Sequence, residues 1–359
     1  MGIYSLMQRA ECTMSSVLKA WFRWRLGGAK PIKVPAGLKV TDSSGNGKRS
    51  FRAAAVQRRV RPVKSIKAYA DAMEGFVKSA AEKGCDIIAF PEYNFLDLMG
   101  IIPGFGLLND YLNRKPAAHG DSSTEAGLDR LYPVLYSISD SIQQALESVM
   151  RSLASKYRLY IYTGSCFIRE NENLYNGGAI ISREGKLIGR QMKLHLTDFE
   201  EKLGIKRSNE FEVFSLDIGN IAFPVCMDAT YYEIFNMARS KGCDVVVLPI
   251  ANNEEYALHK ALRGIWPRVQ EAHVYGVKAA LNGWFCGLHF TGKAGIFAPM
   301  EMTQAGDGIV ALSEQHEGDS LIIGDIDLDA LYRERLEDEY YGDRNEEFER
   351  TYYKLYYCT

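Results

Sequence analysis

The chain has 359 residues, 47% of them hydrophobic and 25% charged, with a formal net charge of −2. That is the balance of a globular chain able to bury a sizeable core; it lacks the basic surplus of a nucleic-acid binder and any apolar run near the roughly 20 residues that span a bilayer. Seven cysteines, an odd number with no CxxC pair, argue against a disulfide scaffold or a zinc site, so a reducing, cytoplasmic setting is expected.

Residues 1–50 read as a basic helical extension followed by a linker. "SLMQRAECTMSSVLKAWFRWRLGG" sets Leu6, Met7, Val17, Leu18, Trp21 and Phe22 on one stripe, with Arg9, Lys19, Arg23 and Arg25 around it. Such a helix packs on its own domain, on a sister subunit or on a membrane surface. "TDSSGNGKRS" is then the polar linker.

From residue 51 the pattern alternates. "FRAAAVQ" predicts a strand, residues 64–83 carry helical spacing (Ile66, Tyr69, Met73, Phe76, Val77, Ala80), and "CDIIAFPE" predicts a strand closed by proline. The glycine-bearing stretch 104–127 reads as a long loop that faces substrate or closes over it. "LYIYTGSCFI" (159–168) and "YNGGAIIS" (175–182) are strand-like, and "GKLIGRQMKLHL" (185–196) follows. "IAFPVC" (221–226) predicts a strand, about 231–240 a helix, and "CDVVVLP" (243–249) another strand. Beyond these come a helix around 256–277 and strands near 278–282, 295–298 and 320–325. The tail 336–359, charged and then tyrosine-rich, has the composition of a subunit contact.

One junction occurs twice. "EKGCDIIAFP" (82–91) and "SKGCDVVVLP" (240–249) match almost residue for residue, which marks an internal duplication of a strand–helix–strand unit. Two such units predict an α/β domain over 51–335 built as a four-layer α-β-β-α sandwich with pseudo-twofold symmetry.

Reactive side chains in such folds sit at strand ends, where the backbone is fixed and a crevice opens. Three do so here: Glu92, Lys193 and Cys226. Each alone has an ordinary reading as a loop acid, an edge lysine or core filling. Together they make a working set. A thiolate attacks a carbonyl, a carboxylate takes the thiol proton, and an ammonium with the N–H after the cysteine holds the oxyanion.

On these residues the sequence resembles the nitrilase, or carbon–nitrogen hydrolase, superfamily over about residues 50–335. "RAAAVQ" is similar to the family's first strand, "FPEYNF" holds Glu92 at the place of the general base, "GRQMKLHLTDFE" holds Lys193, and "VCMDATYYE" holds Cys226 as nucleophile. "WPRVQEAHVYGVKAALNG" resembles a family helix and strand, with Arg268 and Glu271 in the usual spacing. The resemblance implies a second active-site glutamate, Glu200 or Glu201, of which Glu200 suits the "HLxxFE" arrangement better. Nitrilases proper follow the cysteine with Trp-Glu; Met227-Asp228 here resembles the amidase branches.

The resemblance further implies a thioester acyl-enzyme, no metal or organic cofactor, a small-molecule amide substrate, and a homodimer or larger homo-oligomer. Met227, Tyr231 and Glu254 are the candidate substrate-binding residues; Glu254 or Glu255, if turned inward, would favour a cationic substrate. His195 is expected to be structural, and Trp266 to line the pocket or the core. Two rival readings share the fold: a soluble N-acyltransferase using the same acyl-enzyme, and a catalytically silent assembly protein.

Overall fold

The computed structural model describes residues 16–26, 49–114, 128–261, 264–338 and 345–357. Helix α1 (16–26) buries Phe22 and Leu26 in the main core, with Leu18 and Trp21 packed against it. Arg25 lies over the Trp21 and Trp24 rings on the outer side. The described part of the extension therefore packs on its own domain through Leu18, Trp21 and Phe22 of the predicted stripe, while Val17 of that stripe is exposed and Leu6 and Met7 lie outside the described residues.

The first half begins with β1 (Ser50–Arg59), α2 (Ile66–Glu82) and β2 (Ile87–Ala89). Ser65 caps α2 by accepting the Ala68 N–H, and Tyr69, Met73, Val77 and Ala80 form its buried face. Part of the expected 104–127 loop is instead helix α3 (Phe105–Asn113); 115–127 lies outside the described residues. Then comes α4 (Leu128–Tyr157), which the sequence reading left unassigned. Its Ile138, Ile142, Leu146, Val149, Met150 and Leu153 carry the i, i+4, i+7 periodicity of a buried helix face. Strands β3 (Tyr160–Glu170), β4 (Asn173–Ile181) and β5 (Leu187–Met192) follow, then the short α5 (Asp198–Leu203).

The second half mirrors the first, with β6 (Val213–Leu216), β7 (Gly219–Ala222), α6 (Tyr232–Ser240), β8 (Val245–Ile250), α7 (Leu258–Ala261), α8 (Ile265–Ala272) and β9 (Tyr275–Phe285). The helix expected over 256–277 stops at Ala272: His273 takes a left-handed φ of 49° and Tyr275 opens the strand. Strands β10 (Leu288–Phe290), β11 (Gly295–Phe297), β12 (Ile309–Leu312) and β13 (Ser320–Asp327), then α9 (Leu328–Glu337) and α10 (Glu346–Tyr357), complete the described chain.

The duplicated junction folds the same way twice. After α2 and after α6, a glycine (Gly84, Gly242) adopts positive φ, 71° and 79°, which a side chain would resist. The next N–H, of Cys85 or Cys243, returns to Ala80 or Ala238 at 3.0 Å. Asp86 and Asp244 then each accept the N–H of a residue on the first strand of their unit, Arg52 or Asn220.

The strands run in the order β5-β4-β3-β2-β1-β9-β8-β7-β6. Parallel pairing in the middle of each half gives way to antiparallel pairing at its outer edge. The two expected sheets are thus one mixed sheet, joined where Gln57, Arg58 and Arg59 of β1 meet Ala280, Leu281 and Asn282 of β9. The halves still face each other: the Tyr162 and Phe223 rings stack at 5.0 Å, and Phe214 occupies the space a side chain at Gly189 would need. Alternation along β1 separates the layers. Ala54 and Val56 join the core under α2 and α4, while Ala53 and Ala55 join the core shared with α6 and α8.

Candidate active site

Each candidate residue sits just beyond a strand, not on it. β2 stops at Ala89 and β7 at Ala222, and in both cases a proline (Pro91, Pro224) follows within two residues, ending the ladder because it has no N–H to donate. Glu92 and Cys226 lie in the turns beyond. Cys226, expected to end its strand, instead opens a short 3-10 helix over Cys226–Thr230. Its φ is +46°, a conformation L side chains resist, and Tyr93 beside Glu92 has φ +52°. Lys193 follows β5 directly.

Asp228 holds this arrangement. Wholly buried, its carboxylate accepts the N–H groups of Val225 (2.9 Å), Leu194 (3.1 Å) and His195 (2.7 Å). One side chain thereby ties the residue before Cys226 to the two residues after Lys193. His195 approaches Asp228 through Nδ1 at 3.1 Å and stacks on Tyr231 at 4.0 Å, so it supports the wall from behind.

Glu92, Lys193 and Glu200 meet in a sealed knot, each with a side chain no more than 1% exposed. Lys193 Nζ donates to Glu92 Oε1 at 2.7 Å and to Glu200 Oε2 at 2.8 Å. Asn176 Nδ2 donates to both carboxylates, at 2.9 Å and 2.7 Å. Glu200 also accepts the Tyr93 hydroxyl at 2.7 Å and, through a capping box at the start of α5, the Thr197 N–H and hydroxyl. Glu201 points away to an exposed ion pair with Arg207, so Glu200 is the second glutamate of the cluster.

The donors divide the two carboxylates by charge. Burial works against the charge on Glu200, but Lys193, Thr197 and Tyr93 outweigh it and hold its pKa below the ordinary value. Glu92 has fewer donors, and burial leaves it above the ordinary value despite Lys193, with Glu200 adding to the rise. Burial opposes the Lys193 ammonium, yet Glu92, Cys226 and Glu200 keep it charged. The Cys226 thiol is pushed up by burial and then by the charge of Glu92. It rests as a neutral thiol beside a strengthened base. Two acids pushed apart in this way mark separate roles.

The thiol also lies 3.7 Å from Asn252 Oδ1 at the end of β8. A cavity of about 730 Å³ opens over it, lined among others by Glu92, Lys193, Cys226, Met227, Tyr231 and Glu254. Of the candidate wall residues, Tyr231 is 41% exposed and stands at the rim. Glu254 is ion-paired with Lys260 at 3.2 Å, which offsets its charge, while Glu255 is exposed. Trp266 is turned to donate to the Asp307 carbonyl and lies outside the wall; Arg268 and Glu271 pair with each other at 2.6 Å. Sequence reasoning missed Tyr93, Asn176 and Thr197, and it noted Asp228 without a role. Asn176 carries no local signal, since its partners are 84 and 24 residues away.

A carboxylate–lysine–thiol site on a duplicated α/β scaffold is the class of protein these observations define. The chain belongs to the carbon–nitrogen hydrolase family, whose sequence profile matches residues 52–335. It is 27% identical over 292 residues to the probable hydrolase YhcX of Bacillus subtilis, covering 79% of this chain and 51% of that one. To the omega-amidase NIT2 of Xenopus tropicalis it is 25% identical over 211 residues, covering 56% of this chain and 64% of the relative. The chain thus spans about half to just under two thirds of the length of these relatives. In three dimensions it is similar to an amidase from Nesterenkonia sp., with a TM-score of 0.58, 20% identity, and coverage of 88% of this chain and 99% of that one. Another solved form of that amidase carries the acetamide moiety of fluoroacetamide covalently on its active-site cysteine. Among the described residues, no helix is long and apolar enough to cross a membrane.

Proposed function

We propose that the chain hydrolyses the carbon–nitrogen bond of a small amide or carbamoyl substrate through a thioester on Cys226. The observation that carries this reading is the convergence of Cys226, Glu92 and Lys193 on one cavity, with Lys193 Nζ 2.7 Å from Glu92 Oε1. Bound butyramide and acrylamide in forms of the Nesterenkonia amidase support an amide as the substrate class.

The steps balance as follows. Glu92 takes the thiol proton as Sγ bonds to the carbonyl carbon. The oxyanion is held by the Lys193 ammonium and the Met227 N–H. Glu92 returns the proton to the leaving nitrogen, the C–N bond breaks and an amine departs. Water then attacks the thioester while Glu92 takes its proton, and C–S cleavage restores the thiol with that proton. Glu200 stays ionised and keeps Lys193 charged and aimed.

Ammonia release from a panel of small primary amides tests the reading. Turnover is expected in the wild type, with no detectable turnover for Cys226→Ala and a loss on the order of a thousandfold for Glu92→Gln. Turnover by Cys226→Ala at the wild-type rate would overturn it. Adding an amine acceptor separates hydrolysis from acyl transfer, because a transferase would divert the acyl group to the amine.

A further inference from the structure

The cavity over Cys226 contains a cation that the mechanism does not use. Lys278 on β9 is 7% exposed and lines the same cavity. Among the described residues no carboxylate pairs with it and no hydrogen-bond acceptor reaches it; its contact is the Phe297 ring, with Nζ 5.3 Å from the centroid. A buried ammonium without an acid partner is costly in a folded chain, and an anionic ligand beside it would offset that cost.

The neighbouring charges leave it unanswered. Glu254 is bound to Lys260, Glu201 to Arg207, and Glu92 to Lys193. Asp198 and Glu255 line the cavity but are exposed to solvent. The other nearby charge is a second lysine, Lys293, over the Tyr256 ring and on the same cavity wall. Burial, with the charge of Lys293, pushes the Lys278 ammonium down to about 8, so it is still mainly charged at neutral pH.

The placement suits the far end of a bound substrate. Lys278 pairs in register with Leu248 of β8. Leu248 is four residues before Asn252, about 13 Å of extended chain, and Asn252 Oδ1 lies 3.7 Å from the Cys226 thiol. Lys278 and Cys226 line one cavity, so a single bound molecule can meet both. We propose that Lys278, with Lys293 at the rim, binds an anionic group on the substrate, so that the preferred amides carry a carboxylate a few carbons from the scissile bond. This deepens the amide-hydrolase reading and rests on it. It also reverses the charge preference that Glu254 alone suggests.

Titration calorimetry on Cys226→Ala, which separates binding from turnover, tests the inference with two probes of similar length, glutaramate and butyramide. The anionic amide is expected to bind at least tenfold more tightly than the neutral one. In Cys226→Ala/Lys278→Met that preference, a ratio taken within one protein and so insensitive to the folded fraction, is expected to fall at least tenfold. Equal binding of the two probes by Cys226→Ala overturns the inference before any Lys278 variant is made. A preference that survives Lys278→Met overturns it too. Failure of the wild type to turn over any amide would count against the hydrolase reading, while these binding ratios would still decide the role of Lys278.

Discussion

Cys226 carries two costs, and each gives a measurement. Its φ of +46° is strained for any residue with a Cβ. Cys226→Gly is therefore expected to be about 1 kcal/mol more stable than Cys226→Ala, although both lack the thiol; thermal unfolding of the pair checks this. The second cost is the raised thiol pKa, which in the proposed mechanism makes catalysis depend on Glu92 being ionised. Glu92 lies above the ordinary carboxylate value, first through burial. The group must be a carboxylate to accept a proton, so activity is lost as pH falls through its raised pKa. The acid limb of kcat/KM is expected above the region near 4.3 where a free glutamate titrates. The apparent value belongs to the Glu92–Lys193–Glu200–Cys226 set as a whole. An acid limb at or below the free-glutamate value would contradict the assignment.

At the level of elements, the strand-end turns hold the geometry, and Asp228 locks two of them together. Asp228→Asn preserves shape but turns an amide group toward three N–H donors. It is expected to lower stability by about 3 kcal/mol and to lower kcat more than it raises KM, because Cys226 and Lys193 lose their shared anchor. Unfolding midpoints and steady-state kinetics check both parts. Much of this scale was legible in the sequence. The repeated "KGCD" junction identified the duplicated units, and the strand-terminating prolines marked where reactive side chains emerge. Strand β7 proved shorter than its apolar run, because Pro224 ends pairing before Val225 and Cys226, whereas Pro249 stays within β8 opposite Ala279. The length of β9 was under-read because a buried strand and a buried helix share an apolar pattern, and only the left-handed turn at His273 separates α8 from it. Asn176, which bridges both glutamates, and Lys278, without an acid partner among the described residues, are visible only once the halves are brought together.

On the scale of the whole molecule, the duplication explains why the site exists at all. Glu92 comes from the first unit, Cys226 from the second, and Lys193 from the edge segment between them. The β1–β9 joint makes the two halves one sheet, and the stacking of Tyr162 on Phe223 closes them face to face. The tail remains as the proposed subunit contact: α10 exposes Phe348, Tyr352 and Tyr353, the first two rings 4.6 Å apart. Truncation after Asp338 is expected to reduce the solution mass from that of a homo-oligomer toward the monomer, as read by light scattering. An unchanged mass would show that the tail is not the contact. The central claim concerns one covalent bond, and the most direct measurement is peptide mapping of the wild-type protein acid-quenched during amide turnover. The expected result is an acyl mass increment on Cys226 and on no other cysteine, removed by hydroxylamine as a thioester is. Steady release of ammonia with Cys226 unmodified, or an adduct on another residue, would contradict the account.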